Sequence, residues 1–147
     1  MQTDLLDVNL LISLAWPNHV HHTSALRWFH QQRGRGWATT PVTECGFVRV
    51  SSNMSAIPDA VTPAEARSLL VRMRSVSGHV FLPDDVEVVV GDDEYVVGER
   101  IVTHGLVTDA HLLSVARRHG AGFATLDRGV KALGGKSDGD VILVPVT

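Results

Sequence analysis

Four acidic residues carry the chemistry legible in this 147-residue chain: Asp7, Glu44, Asp109 and Asp127. Asp7 directly follows the apolar pair Leu5-Leu6, and Asp127 directly follows Phe123–Leu126. Glu44 lies in the first turns of a helix introduced by Thr40-Pro41, and Asp109 opens the helix Thr108–His119. Open parallel sheets bind ligands beyond the carboxyl ends of their strands, so parallel strands would bring all four carboxylates to one sheet edge. Each acid alone has an ordinary role, because a carboxylate near a helix N-terminus complements the helix dipole and caps free N–H groups. Four together repel one another, and a fold gathers them only around something cationic. Mg2+ or Mn2+ suits such a site, being hard ions that prefer carboxylate oxygens and keep several waters, and no His/Cys set has the spacing of a zinc site. Asp4 is left out of the group. It precedes Asp7 by three residues, about 10 Å along an extended chain, and the odd offset turns it to the other sheet face.

The elements that must position these acids are short strands alternating with helices. Strands are expected at Leu5-Leu6 with Thr3 before them, at Gly36–Thr39, Val80–Leu82, Ala121–Leu126 and Val141–Val146. Between them lie the apolar segment Val8–Trp16 and helices at Thr23–Gln32, Val42–Ser51, Thr62 to about Ser75, and Thr108–His119. Thr40-Pro41 and Thr62-Pro63-Ala64-Glu65 both combine an N-cap with proline at the first helical position, the second with capping-box spacing. Val86–Val90 reads as strand or helix, Arg128–Leu133 as a helical turn, and Gly134–Asp140 as a loop. The alternation predicts an α/β layer fold with a largely parallel sheet, as a single domain over 1–147.

Composition excludes several classes. With 44% hydrophobic and 20% charged residues the chain is neither disordered nor fibrous. A lone cysteine, Cys45, permits no internal disulfide and fits a reducing cytoplasm. The N-terminus has no basic start before its apolar run, so it is not read as a signal peptide, and no stretch approaches the ~20 apolar residues of a membrane span. The net charge of −3 runs mildly against a nucleic-acid binder, which usually carries a basic footprint. The charge is uneven, however: Asp84, Asp85, Glu87, Asp92, Asp93, Glu94 and Glu99 cluster in one segment, and Arg117, Arg118, Arg128, Lys131 and Lys136 in a later one.

The same residues resemble a family. Leu5-Leu6-Asp7-Val8-Asn9-Leu10-Leu11 looks like the opening of PIN-domain proteins, and Thr43-Glu44 is similar to their second acidic element. Gly105-Leu106-Val107-Thr108-Asp109-Ala110-His111-Leu112-Leu113 resembles the third and is the most specific match; Ala124-Thr125-Leu126-Asp127-Arg128 is similar to the fourth. The length and the Thr108–Leu113 form most resemble VapC toxins of bacterial toxin–antitoxin pairs. That resemblance implies a PIN-like three-layer α/β/α sandwich and a Mg2+-dependent endoribonuclease cutting structured RNA such as transfer or ribosomal RNA, leaving a 5′-phosphate and a 3′-hydroxyl. It also implies a VapB-type antitoxin whose C-terminal arm blocks the site, and commonly a toxin homodimer. Asp7 and Asp109 would be the principal metal ligands, with Glu44 and Asp127 completing the site directly or through water. Asn9 and Thr125 would orient the carboxylates; alternatively Asn9 caps the following helix and Thr125 fills a strand position.

Other readings stay open at this level. A non-catalytic RNA-binding PIN module and a PIN nuclease of RNA maturation share the fold. A phosphotransfer enzyme using Asp7 as nucleophile lacks a suitably placed lysine, since the only lysines are Lys131 and Lys136. His19, His21 and His22 read as solvated or capping residues rather than a metal set. Arg117 and Arg118 suit a helix C-terminus or an RNA phosphate. Trp16, Trp28 and Trp37 offer stacking platforms, with Trp28 better placed for the core.

Overall fold

Short strands whose residues alternate between two apolar environments must be covered on both faces, and the chain does this with helices on each side of one sheet. The computed structural model describes residues 2–32, 34–88, 101 and 103–147, except for the side chains of 136–138. The strands are β1 (Thr3–Leu6), β2 (Gly36–Thr39), β3 (His79–Phe81), β4 (Gly122–Thr125) and β5 (Val141–Leu143). They form a five-stranded sheet in the order β3-β2-β1-β4-β5, and every pairing is parallel. The helices are α1 (Val8–Ala15), α2 (His22–Gln31), α3 (Pro41–Ser51), α4 (Pro63–Arg74) and α5 (Val107–Arg118).

Period-two alternation along β1 and β4 divides the core. Leu5 and Phe123 face one cluster with Leu112, Leu113 and Val115 of α5, together with Val130 and Leu133. Leu6 and Ala124 face the other, with Leu10 and Leu11 of α1, Trp28 of α2, Phe47 of α3 and Leu70 of α4. This is a three-layer α/β/α arrangement. Gly46 lets α3 lie close against the start of α1, since a Cβ there would stand 2.6 Å from Val8 Cγ2. The capping box expected at Thr62 forms, and at the start of α3 the Thr43 hydroxyl accepts the Thr40 N–H at 3.0 Å. Among the described residues, no helix is long and apolar enough to cross a membrane.

Several expectations need correction. The stretch read as a turn followed by a loop is 3-10 helical throughout, Arg128–Asp140. The last two strands are shorter than the apolar runs that contain them, since pairing ends at Thr125 and Leu143. The tryptophans are not free platforms: Trp28 and Trp37 are buried, and the Trp16 indole N–H donates to Ser51 Oγ at 3.1 Å. Arg117 grips Asp140 at 2.7 Å at the amino end of β5, a structural tie. Of the acid-rich segment, Asp84 meets His111 and Asp85 meets His119, fastening it to α5; Asp92, Asp93, Glu94 and Glu99, with part of Val86–Val90, lie outside the described residues.

Candidate metal centre

The strand order sets where the acids meet. In the order β3-β2-β1-β4-β5 the connections leave β1 toward β2 and return to it at β4, and the crevice for ligands opens at such a reversal, beyond the strand ends. Asp7 and Asp127 emerge there from adjacent strands, β1 and β4. Asp109 enters from the first turn of α5, which leads into β4.

Asp7 is the best fixed of the three. It is 6% exposed and serves as N-cap of α1, its Oδ1 accepting the Val8 N–H at 2.7 Å. The Thr125 hydroxyl donates to its Oδ2 at 2.8 Å, and the same hydroxyl accepts the Asp127 N–H at 3.0 Å. Thr125 thus ties Asp7 to the backbone that carries Asp127. Burial pushes the Asp7 carboxyl above the usual range; the bonds from Thr125 and Val8 oppose this, and Asp127 adds to it. Asp127 is exposed, and its Oδ1 accepts the Gly129 N–H at 2.8 Å. Asp109 is pushed up to about 7, first by burial and then by the charges of Asp7 and Asp127. A carboxyl raised by burial and further by two neighbouring carboxylates marks a place where a cation would be favoured.

Glu44 stands apart. Its Oε2 accepts the Thr39 hydroxyl at 2.6 Å and pairs with Arg74 at 3.3 Å. His79 Nε2 lies 2.8 Å from the same Thr39 oxygen, and burial, then Arg74, lowers the His79 pKa while Glu44 raises it. Glu44 follows β2, which pairs with β1, so it enters from the side of Asp7 opposite to β4. Thr39, Arg74 and His79 carry no local signal; the β2–β3 pairing brings His79 beside Thr39, and the packing of α4 on α3 brings Arg74 to Glu44. Asn9 is exposed, and the α1 cap expected of it belongs to Asp7. Asp4, at the opposite end of β1, is 2% exposed and paired with Arg35 at 2.6 Å. It stands 2.6 Å from where a Gly122 Cβ would be. His19 accepts the His21 N–H and His22 lies 2.7 Å from the Ser13 carbonyl, a local turn rather than a ligand set.

The donor set fits a hard divalent cation: three carboxylates, one rigidly oriented, whose mutual repulsion such a charge would offset. Among the described residues no group of three or more His, Cys, Asp or Glu side chains is set to hold an ion as it stands, whereas an ion that keeps several waters needs only one or two carboxylates. If Thr125 orients Asp7 for that purpose, Thr125→Val, which keeps the shape and deletes the hydroxyl, should lower Mn2+ affinity roughly 10–100-fold, the usual cost of losing an orienting partner. Titration calorimetry with Mn2+ checks this, and affinity within about twofold of wild type would leave Thr125 as a strand residue only.

The chain belongs to the PIN-domain family, whose model matches residues 5–136. It is similar to ribonuclease VapC39 of Mycobacterium tuberculosis, 51% identical over 127 residues that cover 85% of this chain and 88% of the relative. Ribonuclease VapC38 of the same organism is 50% identical over 88% of each chain, and ribonuclease VapC29 is 38% identical over 99% of this chain and 98% of its own. These similarities place the chain with the VapC-type PIN proteins. Among solved structures, a chain of VapBC2 from Rickettsia felis bound to a DNA fragment from their promoter superposes with a TM-score of 0.52 at 13% identity, covering 97% of both chains, which supports the fold.

Proposed function

We propose that this protein is a metal-dependent endoribonuclease, the toxin of a VapBC-type toxin–antitoxin pair, acting as a single PIN domain over 1–147. The observation that carries the reading is the Thr125 hydroxyl, which donates to Asp7 Oδ2 at 2.8 Å and accepts the Asp127 N–H at 3.0 Å, tying two of the acids together at the sheet edge, in a chain 51% identical to a VapC ribonuclease. Asp7 and Asp109 would hold Mg2+ or Mn2+, with Asp127 and Glu44 completing the set. When bound, such an ion lowers the pKa of a water for attack on phosphorus and offsets charge building on the scissile phosphate. Thr125 keeps the Asp7 carboxylate aimed at the site, and Asp7, by capping α1, anchors the site to the sheet. RNA, of the transfer or ribosomal kind, is the substrate. A VapB-type antitoxin is the partner, a homodimer the assembly, and the cytoplasm the place of action.

Purified protein should cut bulk tRNA or rRNA with Mg2+ or Mn2+ and stop when chelator is added. Expression alone should arrest growth, and co-expression of the neighbouring small gene should relieve the arrest. A folded protein that cuts no RNA with either metal would favour the non-catalytic RNA-binding reading. Cleavage without arrest would favour RNA maturation.

A further inference from the structure

Beyond Asp7, Asp109 and Asp127, one surface combines shape with charge. Helices α3 and α4 enclose an open groove of about 740 Å3, with Glu44 and Arg74 at one end and Ser52 and Pro63 at the other. Arg49 of α3 and Arg67 of α4 line its middle. Both are exposed, and among the described residues neither has an ion-pair partner. At the Glu44 end, Arg74 lies between the Glu44 carboxylate, 3.3 Å away, and the ring of Phe81, 5.6 Å away. Three guanidinium groups against one carboxylate give the groove a sign opposite to that of the chain, whose net charge is −3. From Glu44 to Ser52, α3 advances about 12 Å at 1.5 Å per residue, the axial length of about three nucleotides at 3.4 Å each. Val48 and Val71 supply apolar surface between the charges.

The geometry points to the α3/α4 groove as the track for the RNA backbone, with Arg49 and Arg67 meeting successive phosphates and Arg74 meeting the phosphate that reaches Glu44. This rests on the proposed nuclease function and adds the route by which substrate reaches the acids. Guanidinium groups match phosphate oxygens with two parallel N–H donors, and Glu44, at one end of the groove, is one of the four acids proposed above to hold the metal. A phosphate at Arg74 would compete with Glu44 for it, freeing that carboxylate as substrate arrives.

Arg49 and Arg67 are the residues to test, because Arg74 also holds Glu44. In an Asp109→Asn background, which keeps the RNA intact, R49Q/R67Q should weaken binding of a labelled single strand of about 20 nucleotides, and of bulk tRNA, by roughly tenfold at low salt. Its slope of log K against log salt should fall by about 1.4, that is 0.7 for each phosphate no longer neutralised on a single strand. Each single variant should give about half that change. Arg72→Gln, an equal loss of charge on α4 outside the groove lining, should alter neither quantity, and the R49Q/R67Q change in the Asp109 wild-type form should leave the Mn2+-induced thermal shift unchanged. Unaltered affinity and slope in folded R49Q/R67Q, when the parent binds RNA, would overturn the groove and spare the nuclease reading. Loss of antitoxin capture with RNA affinity intact would instead assign the groove to the protein partner. A wild type that neither binds nor cuts RNA would remove both inferences.

Discussion

Asp109→Asn should abolish RNA cleavage, with kcat/KM falling by roughly a thousandfold or more, since losing even an outer-shell partner costs 10–100-fold and a ligand carries more. Asn keeps the shape and one carbonyl oxygen but removes the negative charge that a divalent ion requires. The competing role is local. Asp109 sits in the first turn of α5, whose N-cap Leu106 supplies no side-chain hydrogen bond, and a carboxylate there favours the helix by about 0.3–1 kcal/mol through the macrodipole. If that were its whole contribution, the variant would lose a little stability and keep its rate. A cation site predicts the reverse: no activity, an unchanged circular dichroism spectrum, and a metal-free protein at least as stable as wild type at pH 8, because one charge has left a repelling cluster. Wild-type cleavage by Asp109→Asn would take Asp109 out of the site.

How far the sequence predicts this site depends on whether the cause is local. Asp7 and Asp127 are legible because each directly follows an apolar strand, and the parallel order places strand ends at one edge. Asp109 is legible because Thr108–His119 has helical periodicity and leads into the next strand. The engagement of Glu44 is not legible. Its position on α3 is plain from Thr40-Pro41, but its carboxylate is engaged by Thr39 and Arg74, residues five positions before and thirty after, brought together by tertiary packing. Asn9 meets a related limit: Asp7 and Asn9 both carry capping side chains, and only the backbone at Asp7 decides between them. The tryptophans show the limit of composition, since Trp37 looks like any surface aromatic until β2 is seen between β1 and β3.

Metal-free stability should fall as pH rises from about 4 to about 7, and metal should reverse this trend. An aspartic acid in the unfolded chain titrates near 3.9, whereas Asp109 in the fold is pushed up to about 7 by burial and by Asp7 and Asp127. Between those values the folded state binds more protons than the unfolded state, so stability decreases with pH across that window and the loss is complete above it. Asp7, also raised, chiefly by burial, acts in the same direction. Asp109→Asn removes the Asp109 contribution and should flatten the profile between pH 5 and 7. A divalent ion binds the ionised carboxylates, so binding near pH 6 must expel the Asp109 proton, and apparent affinity should rise with pH until it levels off above about 7. At a hundredfold excess over Kd the ion should stabilise the wild type by about 2.7 kcal/mol and the variant by much less. Denaturant unfolding of both proteins from pH 5 to 8.5, with and without Mn2+ at constant ionic strength, measures all of these. Parallel profiles for the two proteins, together with a metal shift independent of pH, would mean that Asp109 neither holds a proton near neutrality nor yields it to a cation. The acid cluster would then be an edge of helix and strand ends rather than a metal centre.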